Sequence, residues 1–269
     1  MLKFYRGLPA FKGKSNLGRL LFKKSIGRKT PIEFRAHKGI TYKIPNTNSG
    51  LSVELFIVGI YERKVIAFLN KRIKDGDNYF DIGANIGAMG LPIVKGRPSI
   101  KYFGFEASPF IFEYLSFNFK TNGIRNYQLL NYAVHDSSMM AVKFYQAMNN
   151  EKSSLTSTFT NEFILVESIS LDVYYTTHEI TKINWLKVDV QGFELSVFKG
   201  ATRLLSAKKI ENILFEFESW EESAAGFEIG AAQKYLLEMG YELFEISGKR
   251  LTQLVTGKRT IIWAKPQQE

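Results

Sequence analysis

The chain contains no cysteine in 269 residues. That absence excludes disulfides, iron–sulfur clusters, thiolate zinc sites and a cysteine nucleophile together. It leaves the compartment open, because many cytosolic proteins are also poor in cysteine. Long apolar runs are missing too: no stretch of about 18 or more apolar residues occurs, so no transmembrane helix is expected. The first 46 residues are broken by Gly7, Pro9, Gly13, Gly18 and Gly27. They lack the apolar stretch of about 7–15 residues that a secretory signal needs. The expectation is a cytoplasmic protein. There are three histidines, His37, His135 and His178, and none has a partner at metal-motif spacing such as H-E-x-x-H. No metal site is expected.

What is present suits a globular protein. Hydrophobic residues make up 45% and charged residues 23%, and 22 Phe with 13 Tyr can fill a large core. The length suffices for one large domain, or a domain plus a small extension. The net charge of +10 is uneven. Residues 1–43 hold 12 Lys/Arg against one acid, Glu33, while the remaining 226 residues hold 24 basic and 25 acidic groups. The chain is therefore read as a basic N-terminal extension, 1–46, and a domain, 47–269. Such an arm suits nucleic acid, anionic lipid or an acidic substrate. Peripheral membrane contact is one use for it, and a solvated basic surface is the plainer alternative. Nothing in the sequence sets the oligomeric state.

Residues 31–45 read as a hairpin: Ile32, Phe34 and Ala36 alternate, His37-Lys38-Gly39 turns, and Ile40, Tyr42 and Ile44 alternate again. A helix is expected over 59–73. From residue 78, strands (78–82, 101–106, 127–134, 184–190, 212–218, 241–246, 260–264) alternate with helices (86–95, 109–121, 192–205, 228–239). Near-continuous apolar strands alternating with helices predict an α/β fold, a doubly wound parallel sheet covered on both faces. Residues 136–181 interrupt the rhythm. They read as an inserted pair of strands, 141–146 and 163–169, around the polar loop Asn149 to Asn161, rich in hydroxyls between Glu151 and Thr158. The aromatic set Phe110, Phe112, Tyr114, Phe117 and Phe119 reads as the packing of one helix.

The chemistry concentrates in Tyr79-Phe80-Asp81-Ile82-Gly83-Ala84-Asn85-Ile86-Gly87, which leaves a strand and opens a helix. Glycines permit a sharp turn and close backbone approach, and the first helical N–H groups face whatever binds there. The pattern is not G-x-G-x-x-G, and no Gly-Lys-Ser/Thr follows, so neither a dinucleotide site nor a P-loop fits. Asp81 would repel a pyrophosphate and suit an amine. S-adenosylmethionine offers an amine, a sulfonium, a carboxylate and a ribose diol. Glu106, ending the next strand, is placed to accept hydrogen bonds from such a diol. Asp136, after Ala133-Val134-His135, is placed to take the adenine amino group. The expected cofactor-binding residues are thus Asp81, Gly83, Ala84, Asn85, Gly87, Glu106, Ala107, Asp136 and Asp189.

At this point the sequence resembles the FkbM family of methyltransferases. The matching pieces are Phe80 to Gly87, Glu106-Ala107-Ser108-Pro109 with Asn118 and Asn122, Asn131 to Asp136, Ser170-Leu171-Asp172, Leu186 to Glu194 with Leu195 and Lys199-Gly200-Ala201, and Ile213-Leu214-Phe215-Glu216. The resemblance spans about residues 50–220. It implies a class I methyltransferase fold with a seven-stranded sheet, S-adenosyl-L-methionine as cofactor, and methyl transfer to a hydroxyl of a sugar, glycan or secondary metabolite. One departure stands out: the family commonly has Glu where this chain has Gln191.

Asp189 and Glu216 are the expected catalytic residues. Asp189 ends the fourth strand beside the switch point; its structural alternative is a cap on the helix near Gly192. Glu216 and Glu218 share one side of their strand, and one of them is expected in the cleft; the structural alternative for Glu216 is an ion pair with Lys187. Glu194 reads as a helix-dipole partner. Two other functions compete with this one. An RNA 2′-O-methyltransferase would use the basic arm on phosphates, although nucleic acid is the less favoured partner. A cofactor-binding adaptor without activity would account for Gln191.

Overall fold

The computed structural model describes residues 1–9, 11–136, 138, 140–145, 155, 160–257 and 259–267. The polar loop expected from Asn149 to Asn161 lies outside these residues apart from Leu155, Thr160 and Asn161. The chain enters through α1 (Leu2–Gly7) and α2 (Lys14–Leu21), then the hairpin β1 (Ile32–Arg35) and β2 (Thr41–Ile44), then α3 (Gly50–Val58) and α4 (Arg63–Arg72). The sheet begins with β3 (Asn78–Ile82), α5 (Leu91–Val94), β4 (Lys101–Phe105), α6 (Pro109–Thr121) and β5 (Tyr127–Leu130). The insertion follows as β6 (Ala133–Val134), β7 (Ala141–Tyr145) and β8 (Phe163–Ile169), leading into α7 (Leu171–Thr177) and β9 (Trp185–Val188). The chain closes with α8 (Glu194–Lys199), α9 (Thr202–Ser206), β10 (Ile213–Phe217), α10 (Ser219–Ala224), α11 (Ala231–Glu238), β11 (Tyr241–Glu245) and β12 (Thr260–Pro266).

The seven-stranded sheet has the order β11-β12-β10-β9-β3-β4-β5. Strands β10, β9, β3, β4 and β5 pair in parallel, and β12 runs antiparallel between β10 and β11. The alternation predicted this doubly wound core, the resemblance implied its seven strands as a class I methyltransferase sheet, and the antiparallel β12 makes the sheet mixed where an all-parallel one was expected. Winding runs outward from β3 through β4 to β5, and later from β9 to β10. The order therefore reverses between β3 and β9, and ligands bind beyond the strand ends at such a point.

Period-two alternation divides the strand residues between two cores. Tyr79, Tyr102, Trp185 and Leu214 face α3 to α6, whereas Phe80, Phe103, Leu186 and Phe215 face α7, α8, α9 and α11. Asp81 and Lys187 stand in register on adjacent strands. By the same alternation they fall on the Tyr79 and Trp185 side.

The hairpin of 31–45 forms with Phe34 opposite Tyr42. Its residues Phe34, Tyr42 and Ile44 are buried in the same core as α3, α4 and α6. Asn118 of α6 stitches it down. Its Oδ1 accepts from Lys43 N at 2.7 Å, and its Nδ2 donates to Lys43 O at 3.1 Å and to Ile86 O at 2.9 Å. Asn122 does the same at Thr41, accepting at 2.9 Å and donating at 2.6 Å.

Several expected elements differ. The strand predicted over 127–134 divides at Asn131, whose Nδ2 donates to the carbonyls of Glu106 and Ala107 at 2.7 and 3.1 Å. That tether turns the chain out of the main sheet, and β6 pairs with β8 instead. The helix predicted over 86–95 shortens to α5, because Asn85 and Gly87 hold positive φ of 50° and 82°. The helix predicted over 192–205 breaks at Gly200 into α8 and α9. The two inserted strands form and pair antiparallel as β7 and β8.

Candidate active site

A cavity of about 310 Å³ opens beyond the carboxyl ends of β3, β4, β9 and β10, at the reversal of strand order. Gly83, Ala84 and Asn85 follow β3, and Glu106, Ala107 and Ser108 follow β4. Asp189 and Gln191 follow β9, and Glu216, Glu218 and Glu221 come from the end of β10 and its following helix. Tyr132, Ala133 and Val134 close one side. The loops fit tightly: Gly83 has φ +74°, and a Cβ there would collide with the Asp189 carbonyl. Glycine is therefore required at 83 on both conformational and steric grounds.

Glu106 anchors the first half of the site. Its Oε2 accepts from Asn85 N at 2.9 Å and its Oε1 from Ser108 N at 2.9 Å. Burial pushes its carboxyl up to about 7, against the pull of those two N–H groups. A carboxylate offers roughly four lone-pair sites, so accepting capacity remains toward the cavity that Glu106 lines. That remaining accepting capacity fits the two hydroxyls of a ribose diol.

The second half is organised by Lys187, a buried cation. It lies 3.2 Å from Asp81 Oδ1 and 3.5 Å from Asp189 Oδ2, and its Nζ donates to Gly83 O at 3.1 Å. Burial works to lower the Lys187 ammonium, but the Asp81 and Asp189 charges outweigh it and hold the group above the usual lysine range. Tyr102 completes the set, donating its hydroxyl to Asp81 Oδ2 at 2.8 Å. Gln191 donates its amide to Asp189 Oδ1 at 3.2 Å. Glu194, buried behind this loop, accepts from Val190 N at 3.0 Å. Burial pushes the Glu194 carboxyl up to about 8, with backbone N–H groups opposing.

At the far wall, Arg259 grips Glu216 with two donors, Nη2 lying 2.7 Å from Oε2, and reaches Glu62 with Nη1 at 2.9 Å. Burial and the Asp189 charge push the Glu216 carboxyl up, and the Arg259 fork pulls it back. Glu216, Glu218 and Glu221 bring carboxylate oxygens within 4.8 Å of one another. Burial, joined by the charges of Glu194, Glu216 and Asp189, pushes the Glu221 carboxyl up to about 9.

The expected residues divide accordingly. Gly83, Ala84, Asn85, Glu106, Ala107, Asp189 and Glu216 line the cavity. Three expected cofactor ligands do not. Asp81 is fully buried beneath the wall, where an uncompensated Lys187 would otherwise stand, so it reaches the cavity only through that lysine. Gly87 lies where a Cβ would press on Phe119 and Leu115, so it serves α6 packing. Asp136 sits past β6 and pairs with His135 at 2.7 Å, because the chain has already left the main sheet at Asn131. None of the three histidines lines the cavity. The ion pair considered for Glu216 with Lys187 is made with Arg259 instead. Sequence reasoning missed Arg259, Tyr61 and Trp220 in the wall. Tyr61 and Arg259 come from loops and Trp220 from the short α10, none of them within a motif; only Lys187, a lone charge in an apolar strand, left a readable mark.

Comparison with known proteins gives a family match and several relatives. The Methyltransferase FkbM domain model matches residues 81–243. The hexuronic acid methyltransferase AglP of Haloferax volcanii is 28% identical over 151 residues, which are 54% of this chain and 59% of that protein. The chain thus matches little more than half the length of that relative. Among solved structures, an S-adenosylmethionine-dependent O-methyltransferase of Thermotoga maritima aligns at TM-score 0.47 and 14% identity, over 88% of this chain and 79% of that one. A precorrin-6y C5,15-methyltransferase of Geobacter metallireducens aligns at TM-score 0.45 and 13% identity, over 87% and 93%. With more than half its length matched by the family model, and with the matched loops meeting at one cavity, the chain belongs to the FkbM methyltransferase domain family.

Proposed function

We propose that the protein transfers the methyl group of S-adenosylmethionine to a hydroxyl oxygen of a sugar, a glycan or a secondary metabolite. The observation that carries this reading is Asp189. Its carboxylate lines the cavity between the Gly83–Asn85 loop and the Glu216–Arg259 wall, and its side chain is 26% exposed. The kinship with a hexuronic acid methyltransferase supports a glycan acceptor.

The bound cofactor supplies an activated methyl group on a sulfonium. In this reading the Gly83-Ala84-Asn85 backbone and Ala107 cradle it, Glu106 accepts from its ribose hydroxyls, and the Tyr132 to Val134 edge covers its base. Asp81 acts indirectly by fixing Lys187, which in turn orients Asp189. Asp189 takes the proton of the acceptor hydroxyl, a poor nucleophile until it loses that proton. Glu216, held by Arg259, positions the acceptor. Glu221, pushed up to about 9, carries a proton at neutral pH and donates a hydrogen bond to an acceptor oxygen.

The test joins calorimetric titration with S-adenosylmethionine and S-adenosylhomocysteine to methyl-transfer assays on a glycan panel. Both ligands should bind wild type, and Glu106→Gln should weaken both. Asp189→Asn should lose about 10²–10⁴-fold in kcat while binding S-adenosylhomocysteine within a few-fold of wild type. An unchanged kcat in Asp189→Asn would remove its role as base. Transfer only to nitrogen or carbon acceptors would overturn the hydroxyl assignment.

A further inference from the structure

Phe4, Phe11, Leu17, Leu20 and Leu21 are all exposed, and all lie between residues 4 and 21. Phe4 is 75%, Leu20 72% and Leu21 59% accessible, which is unusual for side chains of this size in a protein with two well-filled cores. The orientation of α2 explains the pattern. Gly18 fixes its inner face, because a Cβ there would collide with Ile57 of α3 and Tyr5. Lys14 also turns inward, donating to Leu8 O at 2.6 Å and Arg6 O at 3.3 Å. Leu17, Leu20 and Leu21, at spacings of three and four, are left on the outer face. Lys3, Lys12, Lys23, Lys24, Arg28 and Lys29 are exposed in the same stretch of chain.

We infer that this face docks on the surface of an anionic lipid bilayer. An amphipathic helix that shows its apolar stripe to solvent, flanked in sequence by exposed lysines, matches the chemistry of a headgroup boundary. Apolar side chains enter the acyl edge and the cations meet acidic headgroups. Charge complementarity separates this occupant from the others. A second copy of the chain would bring together two arms holding 12 Lys/Arg and one acid each through residue 43, which repel across a two-fold contact. RNA would match the lysines but gains nothing from three leucines, which cannot stack on bases. The docking face stands on α3, and Leu51 of that helix lines the catalytic cavity. A docked enzyme would therefore hold its cavity close to the membrane.

The test is flotation of the full chain with vesicles of phosphatidylcholine alone, and with about 30% phosphatidylglycerol, at several salt concentrations. Anionic vesicles should bind at least about tenfold more tightly than neutral ones, with binding weakening as salt rises. The double substitution Leu20→Ser and Leu21→Ser should reduce that affinity about tenfold, with melting temperature and S-adenosylhomocysteine binding unchanged. Lys23→Ala with Lys24→Ala should flatten the salt response. Absence of binding to anionic vesicles overturns the proposal, and so does a serine variant that binds as well as wild type. A dimer that the serine variant dissociates would assign the face to a second copy. Salt-dependent binding of RNA without binding to vesicles would assign it to nucleic acid.

Discussion

Lys187 is the residue on which the wall of the site depends. Three oxygens hold it, from Asp81, Asp189 and Gly83. Removing one partner of a buried pair leaves a charge uncompensated, which outweighs what the pair itself contributes. Asp81→Asn is therefore expected to destabilise the fold by about 3–5 kcal/mol, read as a lower urea midpoint. Replacing Asp81 and Lys187 together by apolar residues of similar volume should recover most of that loss. Gln191 is the second informative residue. Its amide donates to Asp189, whereas the Glu usual in the family would set a like charge there. Gln191→Glu replaces that donor with a like charge and is thus expected to lower kcat by about tenfold, and an unchanged kcat would show that the Gln191 amide does not help to position Asp189.

At the scale of elements, the loop between β9 and α8 shows why Glu194 is kept inside. Its carboxylate accepts from Val190 N, so it shapes the loop that carries Asp189 and Gln191. Burial holds its pKa at about 8 in the folded chain, against 4.5 ordinarily. The folded state therefore keeps a proton that the unfolded chain releases. The stability tied to that proton is complete below about pH 4.5 and is lost as pH rises through about 8. Glu194→Gln keeps the accepting oxygen without the charge. Its melting temperature should fall less than that of wild type between about pH 5 and pH 9, by a few degrees. Parallel slopes would mean that Glu194 is not the group titrating. Elements without contrast in their sequence were the hardest to foresee. Helix α3, Gly-Leu-Ser-Val-Glu-Leu-Phe-Ile-Val, is mostly buried and shows no polar stripe, so periodicity gives no signal. Helix α7 is defined by Ser170, whose Oγ accepts from Val173 N at 3.3 Å, a cap legible only once the helix is known.

At the scale of the molecule, the basic arm is part of the core and also its most unusual surface. Tyr5, Phe34, Ile40, Tyr42 and Ile44 are buried with residues of α3 and α4. Asn118 and Asn122 fasten the hairpin through backbone bonds. Deleting residues 1–46 would strip that side of the sheet and remove the Lys43 partner of the Asn118 Oδ1. The truncated chain is expected to lose cooperative thermal unfolding, measured by circular dichroism. A shortened chain that melts sharply near the wild-type temperature would mark the arm as a separable appendage.

The sequence by itself determined the layering. Apolar strands separated by helical periods permit little besides a doubly wound sheet. The Asp81 to Gly87 run, with its acid partner Glu106, located the cavity because such motifs act through local backbone geometry. Tertiary structure alone decided which acids face that cavity. Strand alternation places a side chain on one face of the sheet, but it does not say what covers that face. Asp81 lies under Tyr102 and Lys187, while Asp189 stays open to the cavity, and both end neighbouring strands. Arg259 reaches Glu216 from the loop before β12, 43 residues away in the chain. Pairings over such separations are set by the sheet order, which has no local signature.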